Sequence, residues 1–259
     1  GMGAIFTDKT LIGKIKMSII SLVYKFIMKS TSAKVIVENN DDKKIFTSMK
    51  VPSESIFLIP GVGVDIEKFF PIKVKSSSYL KVGLASRLLY DKGIIEYIEA
   101  AKICKNEFPN ADFLLIGDID PTNPASLTEK EVNDINKEGA VKLLGYQRDM
   151  PKILKNLDIF VLPSYREGFP KVIMEASASG LPIVATDVTG CNSAVIDNHT
   201  GFLVPAKNTI ALSEAILKLL TSSKSREIFS KNARRFAASN FEVNTLSLEH
   251  LNVWDEDNL

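Results

Sequence analysis

From Tyr79 onward the chain repeats one pattern, a short apolar run, a polar loop, then a stretch with apolar positions three and four apart. The apolar runs are Leu80 to Ala85, Ala111 to Ile116, Val141 to Leu144, Leu157 to Leu162 and Pro182 to Ala185. Runs this short, bounded by turn residues, read as buried strands. Between them the spacing predicts helices over Gly93 to Phe108, Thr128 to Lys137, Met150 to Asn156 and Pro170 to Ser179. In the first of these, Ile94, Ile98 and Ala101 fall on one face. A short strand, Gly201 to Val204, and helices over Thr209 to Leu220 and Ser225 to Ser239 close the series. Such regular alternation argues an α/β fold, a Rossmann-like parallel sheet with helices on both faces. Ligands of these sheets bind outside the carboxyl ends of the strands, where the strand order reverses.

Before Tyr79 the pattern is shorter. Lys34 to Val37 and Ile56 to Ile59 read as strands, with a polar-capped helix from Asn39 to Met49 between them. Pro60-Gly61-Val62-Gly63-Val64-Asp65 is a sharp loop. It is not a dinucleotide fingerprint, because Ile66 stands where the third glycine belongs and no long helix follows before Pro71. Leu11 to Lys29 alternates apolar residues with Lys14, Lys16, Lys25 and Lys29 at helical spacing. Charge interrupts it too often for a membrane span of about 20 apolar residues. Two readings stay open for 11–29: a helix packed on its own sheet, or a basic amphipathic helix in peripheral contact with a membrane.

Composition narrows the function. At 259 residues, 45% apolar and 24% charged, the chain can bury the core of a soluble globular protein of one large or two small domains. A formal charge of +1 gives no basic excess and so argues against nucleic acid as a partner. Cys104 and Cys191, far apart in sequence, read as reduced residues of an intracellular, cytoplasmic protein. With only His199 and His250, a histidine metal site is not expected, and no cofactor is called for. His199 falls in a turn and is not assigned as an acid or base.

Two loops carry the candidate chemistry. Ser86-Arg87-Leu88-Leu89-Tyr90-Asp91-Lys92-Gly93 follows the strand that begins at Leu80. It presents two cations where a ligand's phosphates should lie, Arg87 as a planar fork and Lys92 as a point charge. An ordinary exposed pair flanking a helix start is the other reading. Pro163-Ser164-Tyr165-Arg166-Glu167-Gly168-Phe169-Pro170-Lys171-Val172-Ile173-Met174-Glu175 turns from strand to helix, with Pro170 suited to the first turn. Helix rise sets Glu175 roughly 7 Å along the axis from Pro170, so Glu167 and Glu175 line one crevice at different depths. Between them the amides of Gly168, Phe169 and the helix start can receive negative charge. The ligand described is sugar, diphosphate, ribose. Asp118-Ile119-Asp120, after another strand, mimics a metal-binding aspartate pair but reads better as a polar loop tip.

The Glu167 to Glu175 stretch resembles the donor signature of the family 4 retaining glycosyltransferases, two glutamates bracketing a Gly-Phe-Pro-like turn. The resemblance covers nearly the whole chain, most strongly from Pro60 to about Ala237, and Tyr165-Arg166-Glu167 with Asn39-Asn40-Asp41-Asp42 fits the bacterial polysaccharide and lipid-linked glycan branch. It implies a GT-B architecture: 1–60 a remnant of the N-terminal acceptor domain, 61–238 the nucleotide-sugar donor-binding domain, and 239–259 a C-terminal return segment. In that branch Gly1-Met2-Gly3-Ala4-Ile5-Phe6 resembles a stretch inside the acceptor domain; Gly1 also reads as a tag remnant. Lys73 to Ser78 resembles the family's polar connector.

The resemblance implies the roles as well. Glu167 would contact sugar hydroxyls, Glu175 would hold the ribose, and Arg87 and Lys92 would bind the diphosphate and stabilise its departure without a metal. Gly168, Phe169 and Pro170 would line the donor site, with Tyr146 beside the base. The implied activity is metal-independent transfer, with retention, of a hexose or N-acetylhexosamine from a UDP-linked donor to a glycan or polyprenyl-diphosphate-linked acceptor. Two other readings remain, a non-catalytic nucleotide-sugar-binding module and a nucleotide-sugar epimerase. In the family the tail from Asn240 would return to brace the acceptor domain; with that domain cut short, the tail is expected either to be loose or to seek a neighbouring chain, as in a homo-oligomer.

Overall fold

The computed structural model describes residues 10–31, 33–71 and 79–255. The opening stretch 1–6 and the connector 73–78 lie outside these. The first elements are α1 (Leu11–Ser30), β1 (Val35–Val37), α2 (Asn40–Ser48) and β2 (Ile56–Leu58). There follow β3 (Leu80–Ala85), α3 (Ile94–Glu107), β4 (Ala111–Ile116), α4 (Glu129–Glu138), β5 (Lys142–Gly145), α5 (Met150–Leu154) and β6 (Ile159–Leu162). The chain ends through α6 (Lys171–Ala178), β7 (Ile183–Thr186), α7 (Cys191–Ala194), β8 (Gly201–Val204), α8 (Thr209–Thr221), α9 (Ser223–Asn240) and α10 (Val243–Asp255).

The larger sheet of the described residues has six strands in the order β5-β4-β3-β6-β7-β8, every pairing parallel. Its strands alternate at period two between two cores. Val82 and Leu84 of β3, Phe113 and Leu115 of β4 and Val161 of β6 face one core, shared with Ile94 and Tyr97 of α3 and Ile216 of α8. Ile116, Phe160 and Leu162 face the other, shared with Ile173 and Met174 of α6 and Ala237 of α9. Because both faces are covered, β6 and β7 are buried along their whole length, which is why they read as unbroken apolar runs. The order reverses between β3 and β6, since β4 and β5 lie outward of β3 while β7 and β8 lie outward of β6. A crevice opens at their carboxyl ends.

The N-terminal unit is smaller. β1 and β2 pair in parallel, Val35 opposite Ile56, over a core of Met28, Val37, Phe46, Met49, Val51 and Ile56. A two-stranded sheet is too narrow to cover a 20-residue helix. Among the described side chains of α1, the Tyr24 and Met28 edge packs, Tyr24 meeting Phe46 edge to face at 5.3 Å, whereas Ile19, Leu22, Val23, Phe26 and Ile27 are exposed. Among the described side chains, the expectation of a helix packed on its own sheet therefore holds for one edge.

The tail braces this unit. Val64 and Glu242 form a parallel bridge, with Val64 N–H donating to Phe241 O at 2.7 Å and Val243 N–H to Val64 O at 3.1 Å. Leu246 and Val253 of α10 then bury against Ile59, beside Ile36 and Phe57, and the Lys34 ammonium donates to Val253 O at 2.8 Å. Arg234 of α9 pins the hinge by donating to the carbonyls of Phe69, Ala178 and Ile66.

Candidate functional site

The crevice is built by the loops that leave β3, β4 and β6. Gly93 closes the first loop in the left-handed region, φ 70°. A Cβ there would lie 2.2 Å from Pro163 O, so the absence of a side chain lets the cationic loop touch the chain leaving β6. Tyr165 N–H donates to Asp91 O at 2.8 Å across the same junction. The loop after β4 zips onto this one: Leu88 N–H reaches Asp118 O, Leu127 N–H reaches Leu88 O and Tyr90 N–H reaches Ala125 O, all within 2.9 Å. The Tyr90 hydroxyl also donates to Glu131.

Four of the charged side chains pair in two sets. Lys92 Nζ lies 2.7 Å from Glu167 Oε1, both side chains largely buried. Arg87 Nη1 lies 2.7 Å from Asp120 Oδ2, with the arginine 61% exposed. The Thr122 hydroxyl, first, and the Arg87 guanidinium hold the Asp120 carboxyl below the usual range. From sequence Asp120 reads as part of a polar loop tip; the fold makes it the partner of Arg87, because β4 neighbours β3. Glu175 sits in the first turns of α6 and is buried. Burial pushes its carboxyl pKa up, against the pull of Lys171 3.6 Å away. No side chain caps α6, which leaves its first amides to solvent or a ligand.

A cavity of about 490 Å³ occupies the crevice. It is lined by Arg87 and Asp120, by Gly117 and Asp118 of the loop after β4, by Tyr146 and Arg148 after β5, and by Val172 and Glu175 of α6. Of the residues singled out from sequence, Arg87, Tyr146 and Glu175 thus share one cavity, Tyr146 with 71% of its surface exposed. Lys92 and Glu167 hold one another and are not among its lining residues. Pro170 is buried. The Phe169 ring does not enter this cavity. It lines a second one of about 540 Å³, with Asn39, Asn40 and Asp41 of the N-terminal unit, Asn192, and Phe241. Spacing could not foretell this, since the direction of a loop side chain depends on its backbone twist.

Family comparison agrees with this geometry, for the family of glycosyl transferases group 1 matches residues 65–236. The chain belongs to that family. An N,N'-diacetylbacillosaminyl-diphospho-undecaprenol alpha-1,3-N-acetylgalactosaminyltransferase of Campylobacter jejuni is 32% identical over 98% of this chain and 68% of its own. A UDP-Gal:alpha-D-GlcNAc-diphosphoundecaprenol alpha-1,3-galactosyltransferase of Escherichia coli is also 32% identical, over 88% of this chain and 62% of its own. The chain therefore spans about two thirds of the length of these curated relatives. Among solved structures, Anabaena Alr3699/HepE in complex with UDP superposes with a TM-score of 0.73 at 23% identity, covering 86% of this chain and 64% of that one. Sucrose-phosphate synthase from Thermosynechococcus elongatus gives 0.76 at 22% identity, covering 99% and 66%. At that identity the likeness speaks for the fold, which this group 1 glycosyltransferase chain shares with GT-B proteins.

Proposed function

We propose that this chain is the donor-binding part of a retaining glycosyltransferase. Its donor is a hexose or N-acetylhexosamine on UDP, and its acceptor a glycan or a polyprenyl-diphosphate-linked sugar. The observation that carries this reading is the convergence of Arg87 and Glu175 on one cavity at the switch point of the sheet. The names of the two relatives, each with a diphospho-undecaprenol acceptor, support the choice of substrates.

In this reading residues 61–238 hold the donor, 1–60 belong to the acceptor side and 239–259 return to brace it. The diphosphate takes the Arg87 fork, the Lys92 ammonium and the open amides at the start of α6, which together supply positive potential at one point. Glu175 accepts from the ribose hydroxyls, Tyr146 covers the base, and Glu167, steadied by Lys92, accepts from the sugar. As the bond between the anomeric carbon and the diphosphate oxygen breaks, charge grows on that oxygen, where fixed cations stabilise it most. The acceptor hydroxyl adds on the same face and passes its proton to the departing oxygen, so the configuration is kept. These residues supply the charge stabilisation themselves, and turnover is expected to withstand chelators.

The proposal extends to the lipid surface. Among the described residues no helix is long and apolar enough to cross a membrane. α1 nevertheless exposes Leu22 and Phe26 with Lys16, a pattern suited to the headgroup boundary; cosedimentation with anionic vesicles, lost in Phe26→Glu, reads this part. The principal test is calorimetric titration of the chain with UDP and UDP-sugars. Binding that Glu175→Ala weakens about tenfold, the worth of a hydrogen bond to a charged group, supports the reading; absence of UDP binding would overturn it.

A further inference from the structure

Asn39 joins the N-terminal unit to the donor loop through a single atom. It is buried at the N-cap of α2, where its Oδ1 accepts from Asp42 N–H at 2.8 Å. Its Nδ2 then donates to Asp42 Oδ2 at 3.1 Å and to Gly168 O at 3.0 Å, 129 residues away. Both contacts of the nitrogen are acceptors, so the amide has one satisfactory orientation. Beside it the Thr189 hydroxyl donates to Asp41 Oδ2 at 3.0 Å, and Thr189 O accepts from Glu167 N–H at 3.2 Å.

Capping alone does not call for asparagine. Serine or aspartate caps a helix about as well, but aspartate has no donor, and serine's hydroxyl, held a bond nearer the backbone at the cap, has no second arm to reach Gly168 O as Nδ2 does. What asparagine adds is a grip on the Gly168 carbonyl. Because the peptide is planar and trans, the Gly168 C=O and the Phe169 N–H point in opposite directions. A carbonyl turned toward Asn39 aims the Phe169 N–H away from the N-terminal unit. Among the described residues no acceptor meets that N–H, or the N–H of Gly168.

We infer that Asn39 is a positioning residue for the donor: by holding the Gly168 carbonyl it presents the Phe169 N–H to the diphosphate. The inference rests on the donor reading above. It also makes the N-terminal unit part of the donor site's preorganisation, since a loop already held in its binding geometry loses less freedom when ligand arrives.

The test uses the full chain and two probes, UDP and uridine, with Asn39→Ser, which keeps the cap and drops the donation. UDP affinity is expected to fall about tenfold, one hydrogen bond to a charged group, while uridine affinity, which depends on Glu175, stays unchanged. Asn39→Asp also keeps the cap but turns a carboxylate on the Gly168 carbonyl, and is expected to show the same selective loss. Equal weakening of both probes, or unchanged UDP affinity in both variants, overturns the inference and leaves the donor reading standing. Failure of the unaltered chain to bind UDP overturns both.

Discussion

Replacing Gly93 by alanine puts the junction of the two site loops under direct strain. The new methyl would stand 2.2 Å from Pro163 O and 2.8 Å from Pro163 C, both backbone atoms. A relaxed carbon–oxygen contact is about 3.3 Å, so the loops must part by about 1 Å. The left-handed backbone, φ 70°, adds about 1–2 kcal/mol for any L side chain, and overpacking about 1–3 kcal/mol more. The total, about 3 kcal/mol, corresponds to a fall in Tm of about 6–12 °C for a domain of this size. Gly139 supplies the control, with φ 72° but nothing within 4 Å of an added Cβ. Gly139→Ala bears the backbone cost alone and is expected to lower Tm by about 2–8 °C, less than Gly93→Ala. Thermal melts of both variants with a UDP titration of each make the assay. Gly93→Ala should also weaken UDP binding, because parting the loops pulls Lys92 from Glu167 and Asp91 from Tyr165. Equal losses of stability in the two variants, or undiminished UDP affinity in Gly93→Ala, would refute the claim that this contact shapes the site.

Three further perturbations bear on the charges. Burial raises the folded pKa of Glu175 above its unfolded value, so this group's contribution to stability is full below the unfolded pKa and is lost as pH rises through the folded one. Glu175→Gln is therefore expected to melt higher than the unaltered chain at pH 8, with the gap closing toward pH 4, while binding UDP more weakly; a gap that widens on acidification contradicts this. Asp120→Asn removes a carboxylate that competes with the diphosphate for Arg87. Loss of this exposed like charge beside the diphosphate predicts UDP binding tighter by about threefold, and weaker binding would show that Asp120 holds Arg87 in place instead. Lys92→Met leaves the Glu167 carboxylate largely buried without its partner, at about 2 kcal/mol for an unsatisfied buried group that keeps some contact with water, and Lys92→Met with Glu167→Gln should recover most of that in urea melts.

Much of the fold is legible in the sequence because the larger sheet is covered on both faces. Ile159 to Leu162 is apolar without a break, and a run of that length between a helix and a proline has few other uses. α10 was not legible, since only Leu246 and Val253 of its apolar residues are buried while Leu248, Leu251 and Trp254 are exposed. No stripe marks such a helix before its partner is known. α7 is four residues long, below the reach of periodicity. Succession along the chain also leaves strand order open, and with it the meeting of Asp120 and Arg87. Arg87 and Glu175 could be placed at one cavity from the loop and helix patterns together with the family resemblance, whereas the Phe169 ring faces the other cavity and Asn39 reads from sequence only as a cap. Its second hydrogen bond exists because the hinge, α9 and α10 return the N-terminal unit to the mouth of the donor loop.

The central claim is that a nucleoside diphosphate occupies the crevice between β3 and β6. Amide hydrogen exchange read by mass spectrometry, with and without saturating UDP, tests it most directly. The account predicts slowed exchange in residues 86–93, 117–121 and 168–175 together, with the helices α8 and α9 unchanged. Slowed exchange confined to the second cavity, around residues 38–44 and 240–241, or no change at all in a chain shown to bind UDP, would contradict it.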